Sequence, residues 1–380
     1  MKRVVFFLFS LFFFCFSVYA EEFDITGKYV SLYNMNEDML IYSKNDTKKT
    51  SIASLTKMMT TLVAIENIDD LEKVITIKER DFDGTVGYSK AGFSVGDKVT
   101  YLDLLYGIIL PSGADAVNAI VNNTLGYNSF IKKMNETAKK IGMNDTSFAN
   151  PIGKDDENNY STSSDIAKLL KYALKNETFK KVFTTKSYKT SNGINLESTV
   201  NSYKSILNTS EILGAKSGFT KNAGRCLASI TTLNGVDYLL VVINSSTSSP
   251  SNAVKDTITI YDYYSINYGY KNILNDDTFI KEIPVDLSKE KTYKITGNED
   301  VNKYLKNGDE VTYEYVGSDK ITFNTKKGSK LGVVNIYNGD ELIATSNVYL
   351  ENNIEYYPIV TYVLIFIGVI FILLIIRKSK

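Results

Sequence analysis

Ser54 and Lys57, a hydroxyl and an amine three residues apart, form the first pair in this chain that is able to do covalent chemistry together. The chain contains no histidine, so a serine nucleophile must find its base elsewhere, and lysine is the obvious candidate. In Ala53-Ser54-Leu55-Thr56-Lys57-Met58-Met59-Thr60-Thr61-Leu62-Val63 the apolar positions 55, 58, 59, 62 and 63 recur with helical period. That spacing puts the hydroxyl and the amine on one face of a first helical turn. A serine at a helix N-terminus also sits where anionic charge is favoured. Two later stretches offer polar groups of the same kind: Ser112-Gly113-Ala114 and Lys216-Ser217-Gly218.

Each stretch needs an element to hold it. Residues 29–32 and 39–42 flank Asn34-Met35-Asn36-Glu37-Asp38 and read as a β-hairpin that delivers the chain to the Ser54 helix. Short extended pieces follow at Val74 to Ile77 and Phe93 to Val99. Tyr101 to Leu110 has the pattern of a helix ending at Pro111-Ser112-Gly113, and a new helix starts at Ala114 with Asp115 in its first turn. Residues 128–142 make an amphipathic helix closed by Gly142; Asn150-Pro151-Ile152-Gly153 is turn chemistry; Ser161 to Asp165 caps a helix through Lys175. Residues 212–219, 224–231 and 236–243 read as strands, the last two joined at Asn234-Gly235, a strong hairpin signal. A helix over residues 253–268 closes this region, and residues 280–348 alternate short β runs with Gly-Asp and Asn-Gly turns, the pattern of a small β domain. That β domain reads as a spacer or a partner-binding module.

The composition, 44% hydrophobic and 23% charged over 380 residues, is that of a globular chain of two or three domains. Setting aside Lys2 and Arg3 at one end and Arg377, Lys378 and Lys380 at the other leaves 38 basic against 43 acidic residues, which argues against a nucleic-acid partner. Residues 1–20 have a basic start, an apolar run and Val18-Tyr19-Ala20 as a small-residue cleavage site, the organisation of a secretory signal. Loss of Cys15 with that signal leaves Cys226 alone, a buried strand cysteine with no disulfide partner. At the other end, residues 359–376 are long enough to span ~27 Å as a helix, with Pro358 at its start, tyrosines 356, 357 and 362 at an interface and a basic stop. The positive-inside rule places everything before Pro358 outside the cytoplasm. A metal is not expected, since no histidine and one cysteine leave only unclustered carboxylates, and no cofactor motif is present.

Taken together, Ser54-x-x-Lys57, Ser112-Gly113-Ala114 and Lys216-Ser217-Gly218 resemble the signature set of penicillin-binding proteins and serine β-lactamases. The flanks sharpen the resemblance: Leu104 to Ala116, Asn150-Pro151-Ile152-Gly153 with Tyr160-Ser161-Thr162, and Gly214 to Thr220 look like the D-alanyl-D-alanine carboxypeptidases, the low-molecular-mass penicillin-binding proteins. The similarity covers residues 27–270 well and the β segment to 350 more loosely. It implies an α/β (α+β) fold, an antiparallel sheet flanked by helices, followed by a small β domain and one transmembrane helix. The implied division is signal 1–20, catalytic domain 21–272, β domain 273–352, transmembrane helix 358–376 and cytoplasmic tail 377–380.

The resemblance also implies roles. Ser54 is the nucleophile on the penultimate D-alanine carbonyl of a peptidoglycan stem peptide, and Lys57 the general base. Ser112 relays a proton. Lys216 and Ser217, with Gly218 and Thr220, hold the substrate carboxylate, and the backbone N–H groups of Ser54 and Phe219 form the oxyanion hole. β-Lactam antibiotics are implied covalent inhibitors. Holding Lys57 neutral at pH 7 needs a shift of about three units, ~4 kcal/mol, expected from burial and from Lys216. Two features depart from the family: Ala114 stands where an asparagine is usual, with Asp115 and Asn118 the nearest polar substitutes, and the Asn244 to Asn252 segment has no arginine where a basic residue is common. Two alternatives stay open on the sequence. A β-lactamase needs a carboxylate for its deacylating water, for which the Asp155-Asp156-Glu157 loop lacks the usual form, and a wall-binding scaffold without activity has Ala114 as its hint.

Overall fold

A computed structural model describes residues 23–378 with residue 324 excepted, so the secretory signal expected at residues 1–20 and the last two residues of the tail lie outside the described part. The chain forms two compact units, with the boundary between Tyr263 and Tyr264.

The first unit begins with the expected hairpin, β1 (Tyr29–Asn34) and β2 (Met39–Lys44), and then a 3-10 turn at Ala53–Leu55 that runs into α1 (Thr56–Asn67). A short pair, β3 (Val74–Thr76) and β4 (Lys98–Thr100), precedes α2 (Tyr101–Ile109), α3 (Ala114–Asn123), α4 (Tyr127–Ile141), α5 (Ser163–Ala173) and α6 (Glu177–Thr184). A second small hairpin, β5 (Ser187–Lys189) and β6 (Asn195–Glu197), leads by a 3-10 segment at Thr199–Tyr203 to β7 (Gly214–Thr220), β8 (Gly224–Leu233) and β9 (Val236–Ser245), and α7 (Asn252–Asn267) ends the region. Of the stretch from Phe93 to Val99, only the end becomes a strand. Gly96, at φ +93°, and the Asp97 carboxylate accepting from the Ser94 N–H make a turn there instead.

The main sheet has the order β2-β1-β9-β8-β7, with every neighbouring pair antiparallel. Both of its faces are covered. Leu227 of β8 packs with Ala253 and Val254 of α7, whereas its neighbours Cys226 and Ala228 belong to the large core built on α1, α2, α3 and α5. Coverage on both faces explains why β8 and β9 read as near-continuous apolar runs rather than as alternating strands. The order leaves β7 at an edge, and β7 is the strand that carries Lys216 and Ser217.

The strands β5 and β6 are too short to show a period, yet they matter for α2. Asp103 is fully buried. It closes a capping box with Thr100, its carboxylate accepting from the Thr100 N–H at 2.9 Å and the Thr100 hydroxyl accepting from the Asp103 N–H at 3.0 Å. The same carboxylate accepts from the Tyr188 hydroxyl at 3.0 Å, the Ser191 N–H at 3.0 Å and the Ser191 hydroxyl at 2.5 Å. Tyr188 in turn stacks on Tyr106, ring centroids 3.7 Å apart. One carboxylate thus fastens the β5–β6 hairpin to the helix that leads into Ser112.

The second unit holds β10 (Tyr268–Leu274), β11 (Phe279–Pro284), β12 (Thr292–Thr296), β13 (Val301–Lys306), β14 (Val311–Gly317), β15 (Lys330–Asn338) and β16 (Glu341–Tyr349), paired as β10-β13, β11-β12 and β14-β15-β16. Its own core gathers Leu274, Ile283, Ile295, Val334, Ile336 and Leu350. A single helix, α8 (Pro358–Lys378), follows; its Thr361–Lys378 window, at mean hydropathy 2.3, is the one segment among the described residues long and apolar enough to cross a membrane.

Replacing Asp103 with alanine strands four donors and removes a cap, so Asp103→Ala is expected to lower unfolding free energy by about 3 kcal/mol. Urea denaturation followed by circular dichroism checks this. A loss below about 0.5 kcal/mol, the range of an ordinary surface change, would contradict the role given to Asp103.

Candidate active site

Ser54 stands in the 3-10 turn just ahead of α1 rather than inside the helix, and Lys57 lies in the first turn of α1. The preceding residue, Ala53, has φ +48°, a left-handed conformation that a non-glycine residue adopts only at a cost of about 1–2 kcal/mol. Two glycines close on this bend. A Cβ at Gly153, itself at φ +86°, would lie 2.0 Å from the Ala53 carbonyl oxygen, and one at Gly218 would lie 3.0 Å from the Ser54 nitrogen. The Ser54 backbone is therefore held between the Asn150 to Gly153 turn, where no Cβ fits at Gly153, and β7, which approaches it tightly at Gly218.

The turn does more than make room. Asn150 accepts from the Gly153 and Lys154 N–H groups at 2.8 and 2.9 Å, which fixes the turn's shape. Its carbonyls then face α1: the Thr60 hydroxyl donates to Pro151 O at 2.7 Å, and the Lys57 amine donates to Ile152 O at 2.8 Å. The other hydrogen bond of the Lys57 amine is to Ser54 Oγ, at 2.9 Å.

Lys57 is 1% exposed. Burial pulls its amine from the ordinary 10.5 down to about 7, against a smaller opposing pull from Asp115. Lys216 was expected to contribute to this shift, but burial is what lowers the Lys57 amine. Burial first, and then the neighbouring Lys57 charge, draw the Lys216 amine well below its usual value. Lys216 is fully buried and donates to Ser217 O at 2.8 Å.

Ser112 sits in the loop between α2 and α3 at φ +66°, buried to 4%. Asp115, in the first turn of α3, holds a different loop, accepting from the Ala91 N–H at 2.7 Å and the Gly92 N–H at 3.3 Å. Asn118 donates to the carbonyls of Asp81 and Asp83 at 3.1 and 2.9 Å. Both polar residues near Ala114 are thus occupied in holding loops, and Ala114 itself is buried.

Ser54, Ser112, Ser217, Gly218 and Phe219 line one cleft of about 260 Å³. The Ser217 hydroxyl lies 2.5 Å from that of Thr199. Thr220 is placed differently from its neighbours: its hydroxyl donates to Asp155 at 2.6 Å and accepts from the Ala223 N–H at 3.0 Å, so it serves the turn after β7. Two further residues of the cleft, Thr199 and Arg225, are absent from the motif reading. Arg225 left a signal, since a charge inside Gly224-Arg225-Cys226-Leu227-Ala228 is out of place in a strand buried on both faces.

Residues 17–247 match the family described as D-alanyl-D-alanine carboxypeptidase, peptidase family S11, and residues 268–356 match the C-terminal domain of penicillin-binding protein 5. A Bacillus subtilis D-alanyl-D-alanine carboxypeptidase, DacF, is 27% identical over 343 residues, covering 88% of each chain. A D-alanyl-D-alanine carboxypeptidase of Streptomyces sp. strain K15 is 33% identical over 239 residues, 59% of this chain and 81% of the relative. Among solved structures, penicillin-binding protein 5 from Haemophilus influenzae matches at a TM-score of 0.64 and 22% identity, over 88% of this chain and 99% of that one, a likeness of fold. The Streptomyces K15 DD-transpeptidase matches at a TM-score of 0.57 and 30% identity, over 64% of this chain and 98% of that one.

An alanine at position 153 must push against the Ala53 carbonyl, so Gly153→Ala is expected to cost at least ~2 kcal/mol and to reduce the rate of Ser54 acylation more than tenfold by displacing the turn. Stopped-flow acylation by a fluorescent penicillin, with thermal unfolding of the same variant, reads both effects. Unchanged acylation would show that the turn does not position the nucleophile.

The sequence match across the catalytic region, the matching fold and the clustering of Ser54, Lys57, Ser112 and Lys216 agree: the chain belongs to the D-alanyl-D-alanine carboxypeptidase family of serine penicillin-binding proteins and carries that family's C-terminal β domain.

Proposed function

We propose that this enzyme removes the terminal D-alanine from peptidoglycan stem peptides, with Ser54 as nucleophile and Lys57 as its base. The observation that carries the assignment is the 2.9 Å hydrogen bond between a buried amine near neutrality and Ser54 Oγ, in a chain without histidine. Ser54 Oγ attacks the carbonyl carbon of the penultimate D-alanine while its proton passes to the Lys57 amine. The carbonyl oxygen takes up negative charge and is received by the backbone N–H groups of Ser54 and Phe219, where one donor is worth ~3 kcal/mol. The C–N bond then breaks, and the departing D-alanine amine takes a proton relayed through Ser112. Water attacks the ester, Lys57 again accepting a proton and returning it to Ser54 Oγ as the acyl C–O bond breaks, which regenerates the free hydroxyl. Lys216 and Ser217 hold the terminal carboxylate, with Gly218 keeping β7 close to Ser54. Thr220 supports the end of that strand through Asp155.

The same acylation by a β-lactam stops at the ester, which makes such antibiotics covalent inhibitors. A β-lactamase reading has no support in the relatives. Asp155 is engaged by Thr220 and by the Asn222 N–H, so it is committed to the turn rather than to a water. For location, the reading is a secreted catalytic unit anchored by α8, with Arg377, Lys378 and Lys380 on the cytoplasmic side and the signal at residues 1–20 cleaved.

For the pH dependence, a protonated Lys57 cannot accept the serine proton, so activity falls as pH drops through the value of the free enzyme. Below pH 7, kcat/KM on a peptide ending in D-Ala-D-Ala is expected to fall about tenfold per pH unit. Lys216 acts with the opposite sign, since losing its proton at higher pH weakens carboxylate binding. The buried Cys226 thiol, pushed up to about 12, does not contribute in this range. Ser54→Ala is expected to abolish both D-alanine release and covalent penicillin labelling of the full chain. A profile flat to pH 5, or labelling that survives Ser54→Ala, would overturn the assignment.

A further inference from the structure

The strand register places one cation of the cleft that no motif assigns. In the β7–β8 pair, Phe219 faces Arg225 and Ser217 faces Leu227. Side chains two apart on a strand, and those directly across, share a face, so Ser217, Phe219 and Arg225 lie together on one side of the sheet edge. Arg225 stands diagonal to Ser217 across the pair, a Cβ separation of about 7–8 Å that a long side chain spans.

The guanidinium is oriented and unspent. It lies 4.0 Å from the centroid of the Phe219 ring, which fixes its plane. Its Nε is buried and has no hydrogen-bond partner, and no ion pair among the described residues includes it. A buried donor left unmatched is costly, and the remedy is a ligand that accepts from it. Residues of the first turn of α7, Ala253 and Val254, line the same cleft, so the positive end of that helix also faces it.

We infer that Arg225 binds the terminal carboxylate of the substrate, its planar fork meeting the two oxygens beside the Ser217 hydroxyl. The ligand is the same carboxylate that the proposed carboxypeptidase reaction requires, so the inference rests on that reading. Lys216 alone serves poorly as the first contact. Its amine is buried and drawn toward the neutral form, whereas a guanidinium stays charged at any working pH. Arg225 then supplies from β8 the basic group that the Asn244 to Asn252 segment lacks. The carboxylate arrives between a permanent cation on the cleft face and the buried amine behind it.

The test compares two thioester substrates of the full chain, an N-acyl-D-alanyl thioglycolate as its free acid and as its methyl ester. Wild-type enzyme is expected to prefer the acid, and Arg225→Gln to lose at least tenfold of that preference in kcat/KM, mainly through KM. Arg225→Lys, which keeps the charge, is expected to recover part of it. Because both substrates are read on the same variant, damage to the fold lowers both rates together and leaves the ratio unchanged. Turnover with an unchanged ratio in Arg225→Gln would overturn this inference alone. Failure of the wild type to turn over either substrate would overturn it together with the proposed function.

Discussion

When α1 docks against the Asn150 to Gly153 turn, the Lys57 amine loses its water and receives one carbonyl and one hydroxyl in return. A drop from 10.5 to about 7 corresponds to about 5 kcal/mol of preference for the neutral form. This preference makes a lysine usable as a base near pH 7, and it opposes folding. The folded-state value is depressed, so the penalty is fully present below about pH 7 and disappears as pH rises toward the unfolded value near ~10.4. The core built on α1 to α5 has to outweigh it. Thr60 bonded to Pro151 O, and Asn150 bonded across its own turn, keep the cage closed around the amine.

A second constraint is spatial. The turn approaches the Ala53 carbonyl more closely than a Cβ permits, and the sheet edge leaves little room at the Ser54 nitrogen, so the Ser54 backbone is confined by main chain on two sides. The cleft side chains inherit that precision: Ser217, Phe219 and Arg225 are carried on the pair of strands whose edge touches Ser54, and Ser112 on a loop closed by the Gly113 N–H donating to Gly107 O at 2.8 Å. The residues departing from the family pattern fit this picture. Asp115 and Asn118 do not replace the missing asparagine at Ala114, because each already holds a loop in place.

Much of this was legible in the sequence. The helices that follow Ser54 and flank Ser112 have clear periods, and the Asn234-Gly235 turn announces the β8–β9 hairpin. What was not legible depends on contacts distant in the chain. The β5–β6 hairpin has three-residue strands, too short for a period, and exists because Asp103 collects its donors across more than eighty residues. Arg225 becomes a cleft residue only once register sets it opposite Phe219, and Thr220 leaves the site only once Asp155 is seen to accept from it.

The proposed reaction requires Lys57 to be held near neutrality at the pH where the enzyme works. Lysines labelled with carbon-13 at Cε, with Lys57→Arg to assign the resonance, allow the amine to be titrated directly by NMR in the folded chain. A midpoint of about 7 is expected for Lys57, well below the ~10.4 of an unperturbed lysine. A midpoint close to that unperturbed value would contradict this and leave Ser54 without its base.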